Sequence, residues 1–232
     1  MRRAALLYNP TSGQRRHLRL ARVEAAARAL NAGGVATTLI PTKAPGSAGR
    51  QAAEAVTQGH DAIFACGGDG TVHEVLQGMV AHAPAVPLGI IPLGTGNVLA
   101  FDLGIPRDPA RAAETQLKYV QRPIAAGHIE FQTRDGGRDS RYFTLIVGVG
   151  PDALAFYRVQ AGMKKRLGML EYLRQGLRVG LLHPYEEFIV HYNVGAERCT
   201  VAASQLSAVR VTSIGNWFRY FTMDSALDRN DF

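Results

Sequence analysis

The sequence has little of several features that mark specialised classes of protein. Two cysteines occur among 232 residues, Cys66 and Cys199, and their spacing fits neither a disulfide framework nor a zinc site. We expect both to be reduced and buried. Charged residues make up 19% of the chain, but hydrophobic residues make up 47%, which argues against disorder and supplies a substantial core.

Long hydrophobic runs are lacking too. No stretch approaches the roughly 20 apolar residues of a membrane-spanning helix. The apolar run at residues 4–8 meets Asn9-Pro10 too soon for a signal-peptide core. We therefore expect a soluble, cytoplasmic protein. Its formal net charge of +7 suits nucleic acid, an anionic membrane face or a phosphorylated ligand, but no block of Lys and Arg favours nucleic acid.

Strand and helix patterns alternate over the first half of the chain. The predicted strands are continuously apolar, which is typical of a parallel sheet covered on both faces. An N-cap followed by proline, Asp108-Pro109, predicts one more helix start. We expect an α/β domain at residues 1–122. The strand segments are residues 4–8, 35–40, 61–66 and 88–91, and the helical segments are residues 15–31, 47–58 and 72–81.

The second half, residues 123–232, has a different pattern. It is predicted to be β-rich and antiparallel, with one long leucine-bearing helix and an aromatic cluster near its end. Two hairpin turns are expected, at Asp135-Gly136-Gly137 and at Gly195. The strand segments are residues 123–131, 141–149, 186–194, 197–203 and 208–214, the helix is residues 164–182, and the aromatic cluster is residues 216–222.

Three turn-forming loops follow three of the predicted strands, at residues 9–13, 67–71 and 93–97. Loops at the carboxyl ends of parallel strands share one edge of the sheet, where ligands bind. Glycine permits a phosphate to approach the backbone closely, and a following helix directs free N–H groups at the anion. We predict a phosphate site here, although a lone Gly-Gly-Asp-Gly segment is also compatible with a simple strand-to-helix turn.

Two acidic residues accompany the second of these loops. Asp69 beside a phosphate makes sense if it faces Mg²⁺ or the incoming hydroxyl. Glu74 stands three residues after Thr71, a spacing that predicts a capping box at a helix beginning near Thr71. There is no G-x-x-x-x-G-K-[ST] and no G-x-G-x-x-G, so neither a P-loop nor a dinucleotide fingerprint is present.

At these residues the sequence resembles the diacylglycerol kinase catalytic-domain family, which includes bacterial lipid kinases and sphingosine kinases. The resemblance covers nearly the whole chain and is most specific in the first half. The segments that carry it are Tyr8-Asn-Pro-Thr-Ser-Gly13, Thr42-Lys-Ala-Pro-Gly-Ser-Ala48, Gly67-Gly-Asp-Gly-Thr-Val-His-Glu-Val75, Ile91-Pro-Leu-Gly-Thr-Gly-Asn97, Leu103-Gly-Ile-Pro106 and Gly148-Val-Gly-Pro-Asp-Ala153.

The resemblance implies a nucleotide-binding α/β domain followed by a β-sandwich-like lipid-substrate domain. It implies an ATP- and Mg²⁺-dependent transferase of lipid metabolism that phosphorylates diacylglycerol or a related lipid from the membrane surface. A homodimer is left open. Asp69 is the expected metal-binding and catalytic residue. The residues expected at the nucleotide are Asn9, Thr42, Gly67, Gly68, Asp69, Gly70, Thr71, Glu74, Gly94, Thr95, Gly96 and Asn97.

Three departures from the family pattern bear on catalysis. Family members usually carry an aspartate just after the domain junction, where this chain has Ala125-Ala126. The late Asp-Gly pair, which supplies the presumed general base, is absent. Asp228 or Asp231 would take that role. The second domain is expected to be incomplete at its C-terminus.

Three alternatives to a lipid kinase remain. An NAD kinase or a sugar-phosphate kinase shares the Gly-Gly-Asp-Gly motif but fits the loop at residues 92–97 less well. A nucleotide- or lipid-binding protein without catalysis gains weight from Ala125-Ala126 and the absent Asp-Gly. A nucleic-acid-binding module has only the net charge in its support.

Overall fold

A computed structural model describes residues 1–10, 18–82, 85–151, 153, 186–212 and 227 of the chain. These residues group into two compact units. One comprises those within Met1–Leu145 and Arg210–Phe232, and the other those within Ile146–Val209. The predicted functional boundary at residue 122 stays a prediction.

A four-stranded parallel sheet organises the first unit, as the alternating pattern predicted. Its strand order is β2-β1-β3-β4. Strand β3 is buried along its whole length, which explains why its sequence is uninterrupted by polar residues. The strands are β1 (Arg3–Tyr8), β2 (Ala36–Pro41), β3 (Ala62–Gly67) and β4 (Leu88–Pro92).

The described residues of the same unit form five helices. Helix α1 packs on α5, and α2 packs on α3. The chain crosses the sheet in one direction from β1 to β2 and in the other direction from β2 to β3. Right-handed crossovers therefore place the two helix pairs on opposite faces of the sheet. The core between them consists of apolar side chains from both layers. The helices are α1 (Arg19–Ala32), α2 (Ala48–Thr57), α3 (Asp69–His82), α4 (Val98–Asp102) and α5 (Pro109–Lys118).

Two helix starts test the predictions from local sequence. Asp108 caps α5 as expected, since its Oδ1 accepts from the Arg111 N–H over 2.9 Å and proline follows it. The start predicted for α3 is wrong. The Gly68 carbonyl accepts from the N–H groups of Thr71 and Val72, so the helix begins at Asp69 and Thr71 lies within its first turn rather than at its cap.

Helices α2 and α3 cross at a pair of glycines. A Cβ atom on Gly78 would lie 2.0 Å from the Gly49 carbonyl oxygen, and one on Gly49 would lie 2.6 Å from the Glu74 carbonyl oxygen. No side chain fits at either position, so the two backbones pack directly against each other. This close approach fixes where α3, and the loop before it, lies on the sheet.

Antiparallel pairs form the β-rich part of the chain, which confirms the predicted fold class. Strand β5 (Gly127–Gln132) pairs with β6 (Arg138–Phe143), and β8 (Phe188–Val194) pairs with β9 (Glu197–Ala203). Gly136 and Gly195, with φ of 85° and 60°, form the two expected turns.

The single strand predicted for residues 141–149 is wrong. The chain forms two strands there, because β7 (Ile146–Val149) leaves the β5–β6 pair and joins β10 (Leu206–Val209). Cys66 is buried as expected, but Cys199 on β9 is only half-buried. The predicted helix at 164–182 and the aromatic cluster at 216–222 lie outside the described residues.

Candidate active site

The carboxyl ends of the four parallel strands are level with one another. Tyr8, the last residue of β1, pairs with Pro41 of β2 and with Cys66 of β3, and Gly67 pairs with Pro92 of β4. The residues that follow these strands therefore emerge along one edge of the sheet. Asn9, Thr42 and the two glycine loops, residues 67–71 and 94–97, all lie there, as the sequence predicted.

The two glycine loops touch each other backbone to backbone. A Cβ atom on Gly94 would lie 2.4 Å from the Gly68 Cα atom, and one on Gly68 would lie 3.2 Å from the Gly94 Cα atom. The Leu93 N–H also donates to the Gly67 carbonyl over 2.8 Å. Glycine is therefore required at position 94, and a side chain at position 68 would be tightly packed, which a single strand-to-helix turn would not demand.

Asp69 lies where the two loops meet. It begins α3 and is half-buried. The Leu99 N–H, at the start of α4, donates to its Oδ1 over 3.4 Å, and its Oδ2 lies 3.1 Å from the place a Cβ atom on Gly96 would take. The carboxylate is thus held between loops while part of it stays open to solvent.

The second glycine loop is held in shape by Asn97. Its side chain accepts from the Gly94 N–H and donates to the Gly94 carbonyl, both over 2.9 Å. Its backbone has φ of 54°, the left-handed conformation that asparagine tolerates better than most residues. Between these two residues, Thr95 and Gly96 are exposed and free to face a ligand.

The loop that begins at Thr42 is held in shape by two residues for which the sequence predicted no role, Ser47 and Gln51. Buried Ser47 accepts from the N–H groups of Lys43 and Ala44. Buried Gln51 accepts from the Lys43 N–H and donates to the Pro41 carbonyl. The Thr42 N–H donates to the Tyr8 carbonyl over 2.9 Å, which joins this loop to β1. The sequence did contain a signal for this role, because Gln51 is a polar residue on the first turn of an otherwise apolar helix face.

A buried cation near the edge, Arg19, was also not predicted from the sequence. Arg19, at the start of α1, is buried, and its Nη2 donates to the Leu93 carbonyl over 3.4 Å. Burial lowers the pKa of Arg19, and the neighbouring Arg22 lowers it further, whereas Cys66 opposes the change. Burial in turn raises the pKa of the Cys66 thiol, so that group is neutral. In the sequence Arg19 was one of several arginines on an alanine-rich helix.

A groove of about 770 Å³ runs along the length of α2 and α3, from Gly46 to His82. Glu74 lines it together with Gly46 and Gly49, so Glu74 lies on the groove rather than at the meeting point of the glycine loops. His73 lies at its rim, where partial burial lowers the pKa of the imidazole and Arg141 lowers it further, against the opposing effect of Glu74.

Gln77 connects this groove to the β5–β6 hairpin. Its side-chain amide donates to the Tyr142 carbonyl over 2.8 Å and accepts from the Tyr142 N–H over 3.0 Å. The amide thereby continues the hydrogen-bonding pattern of a strand, and it fixes β6 against α3 within the first unit.

Two further residues were predicted to act in catalysis. Asp228 and Asp231 lie outside the described residues. In the segment that follows residue 122, the Ala125 N–H donates to the Leu227 carbonyl over 2.8 Å. Within the described ranges, no three His, Cys, Asp or Glu side chains gather as a metal-binding group. No helix in the same part of the chain has both the length and the apolar character of a membrane span.

The sheet and its touching glycine loops define an α/β protein whose ligand edge lies at the carboxyl ends of parallel strands. The family model "Diacylglycerol kinase catalytic domain" matches residues 3–129. The chain therefore belongs to the diacylglycerol kinase catalytic-domain family, as its motifs indicated.

Individual relatives agree with this assignment. The chain is 37% identical over 185 residues to a diacylglycerol kinase of Bacillus subtilis, an alignment that covers 77% of this chain and 56% of the relative. It is 31% identical over 183 residues to a diacylglycerol kinase of Staphylococcus saprophyticus, with 77% and 55% covered. This chain thus spans little more than half the length of these relatives.

The fold is shared with a solved structure. The chain is similar to the crystal structure of a diacylglycerol kinase from Bacillus anthracis, with a TM-score of 0.64 and 25% sequence identity. That similarity covers 91% of this chain and 65% of the solved chain. It therefore includes the β-rich part as well as the α/β part.

Proposed function

We propose that this chain is an ATP-dependent lipid kinase that transfers the γ-phosphate to the hydroxyl of diacylglycerol or a related lipid. The observation that carries the proposal is the contact between Gly68 and Gly94, with Asp69 held between their loops. The named relatives support a diacylglycerol kinase rather than an NAD kinase or a sugar-phosphate kinase.

The arrangement suits phosphoryl transfer, in which catalysis is mostly positioning and charge stabilisation. The exposed backbone of Thr95 and Gly96 and the start of α3 would present N–H groups to the phosphates. Asn9 and Thr42 lie on the same edge and would bind the rest of the nucleotide. Glu74 would take part in nucleotide binding from its position in the groove.

Asp69 fits a magnesium site of the kind that nucleotide enzymes use. Mg²⁺ is bound through one or two carboxylates plus substrate phosphates, and it keeps several waters. Asp69 offers one half-buried carboxylate beside the glycine loops. When bound there, the ion would neutralise charge on the phosphates. Asp228 or Asp231 would accept the proton of the lipid hydroxyl.

A lipid acceptor would require the protein to reach a membrane surface. A diacylglycerol hydroxyl lies at the surface of a membrane, so the chain would work as a cytoplasmic protein in peripheral contact with that surface. The net charge of +7 favours an anionic leaflet. A homodimer is a further expectation, which light scattering of the purified protein measures.

Replacing Asp69 tests the proposal most sharply at one residue. We expect Asp69→Asn to lower phosphate transfer from radiolabelled ATP to diacylglycerol micelles by at least about 100-fold, since it removes the charge that would hold the metal. The fold should survive because asparagine keeps the size of the side chain.

The matched control is Asp135→Asn, in the exposed turn of the β5–β6 hairpin, which should leave transfer unchanged. NAD and a panel of single-hydroxyl lipids are run as alternative acceptors. Transfer that is equal in wild type and Asp69→Asn would remove Asp69 from the mechanism.

A second candidate function is nucleotide or lipid binding without catalysis. The observation that favours it is Ala125-Ala126, which stands where the family usually has an aspartate and presents no acidic side chain. ATP binding without product in the same assay, for wild type as well as Asp69→Asn, would select this function.

A further inference from the structure

A buried cation with unused donors lies beneath the glycine loops. Arg19 exposes 6% of its surface. Its Nη2 donates to the Leu93 carbonyl, while its buried Nε and Nη1 have no hydrogen-bond partner within the part of the chain that the structure describes. Arginine carries five N–H donors and stays protonated. The guanidinium therefore has capacity to bind a further acceptor.

The contact with Leu93 ties Arg19 to the point where the loops meet. Leu93 directly follows β4 and directly precedes Gly94, and its own N–H donates to the Gly67 carbonyl. The carbonyl that Arg19 reaches thus belongs to the residue that joins the second loop to the first. The guanidinium thus contacts Leu93, the residue that precedes Gly94 in the Gly68–Gly94 contact.

No described neighbour balances this charge. The side chains that influence Arg19 electrostatically are Arg22, which is cationic, and Cys66, which is neutral. None of the ion pairs between described residues includes Arg19. Burying an arginine without a counter-charge is strongly unfavourable unless an anion binds to it.

A buried cation next to the glycine loops would favour an anionic ligand. Their N–H groups carry only partial charges, and Asp69 adds a negative charge between them. A polyphosphate at this edge would therefore be stabilised by positive charge, both from a metal at Asp69 and from a nearby cationic side chain. Arg19 is buried next to Leu93, and its planar guanidinium matches the geometry of phosphate oxygens.

We propose that Arg19 binds the polyphosphate group of the nucleotide and makes the site select phosphorylated nucleotides over unphosphorylated nucleosides. The proposal rests on the proposed function, because it assumes that a nucleotide occupies this edge. It assigns to Arg19 a positive charge that the two glycine loops, residues 67–71 and 93–97, do not contain.

Calorimetric titration of the purified chain with ATP, tripolyphosphate and adenosine tests the assignment. We expect Arg19→Met to weaken ATP and tripolyphosphate binding at least about 10-fold, because charge-assisted hydrogen bonds are lost. Adenosine binding should not change. The matched control is Arg28→Met on the same helix, where Arg28 is exposed and pairs with Glu24.

Equal ATP affinity in wild type and Arg19→Met would overturn the assignment. If Arg19→Met does not fold, the Nε–H resonance of Arg19 in the arginine-labelled wild type is followed instead. It should shift on addition of tripolyphosphate, and an unmoved resonance contradicts the proposal. Binding that depends on Arg19 without phosphate transfer to any acceptor would refute the kinase proposal and leave the Arg19 assignment standing.

Discussion

At the scale of single residues, the site depends on glycines, which have no side chain, at positions where backbone segments pack closely. Gly68 and Gly94 are adjacent because neither has a Cβ atom, and Gly96 leaves room for the Asp69 carboxylate. The sequence predicted these positions because glycines clustered after two apolar strands. It did not reveal the role of Arg19, which comes from burial and from a backbone partner distant in sequence, and the roles of Ser47 and Gln51 were missed.

Gly94→Ala should damage both stability and nucleotide binding. The added Cβ atom would lie 2.4 Å from the Gly68 Cα atom, so one backbone segment must move. We expect the free energy of unfolding to fall by about 1–3 kcal/mol, the usual cost of overpacking. ATP affinity should fall with it, because the two loops would separate.

Urea denaturation and calorimetric ATP titration measure these two effects. Gly70→Ala is the stability control, because nothing lies within 4 Å of its added Cβ atom and alanine is the better helix former. A Gly94→Ala protein with wild-type stability and ATP affinity would show that the contact between the loops does not matter.

At the scale of helices and strands, the sequence pattern correctly predicted the features that depend on neighbouring residues in the chain. Continuously apolar strands and the Asp108-Pro109 cap were found as expected. The errors arose where tertiary partners decide. Helix α3 begins at Asp69 because the Gly68 carbonyl accepts two helical hydrogen bonds. The segment 141–149 splits because β6 and β7 pair with different strands, which periodicity cannot show.

The crossing of α2 and α3 gives a prediction at this scale. We expect Gly78→Ala to lower the free energy of unfolding by about 1–3 kcal/mol or more, since its Cβ atom would lie 2.0 Å from the Gly49 carbonyl oxygen. Gly70→Ala, on the same helix, should not destabilise the chain. Urea denaturation that gave equal midpoints for the two variants would argue against a close crossing.

At the scale of the whole molecule, the family and fold agree with the motifs. The α/β part and the β-rich part were both predicted from the change in pattern near residue 122, and the family match over residues 3–129 confirms the resemblance. The roles of Asp228 and Asp231 stay predictions. They concern the acceptor side of the reaction, which local glycine motifs do not determine.

The central claim is that one nucleotide is bound by both glycine loops at a single edge of the sheet. Backbone N–H resonances of the ¹⁵N-labelled chain, followed during titration with ATP and Mg²⁺, test it directly. We expect the resonances of residues 67–71 and 94–97 to shift together, with one common dissociation constant. Shifts confined to one loop, or centred on the β8–β9 hairpin, would contradict it.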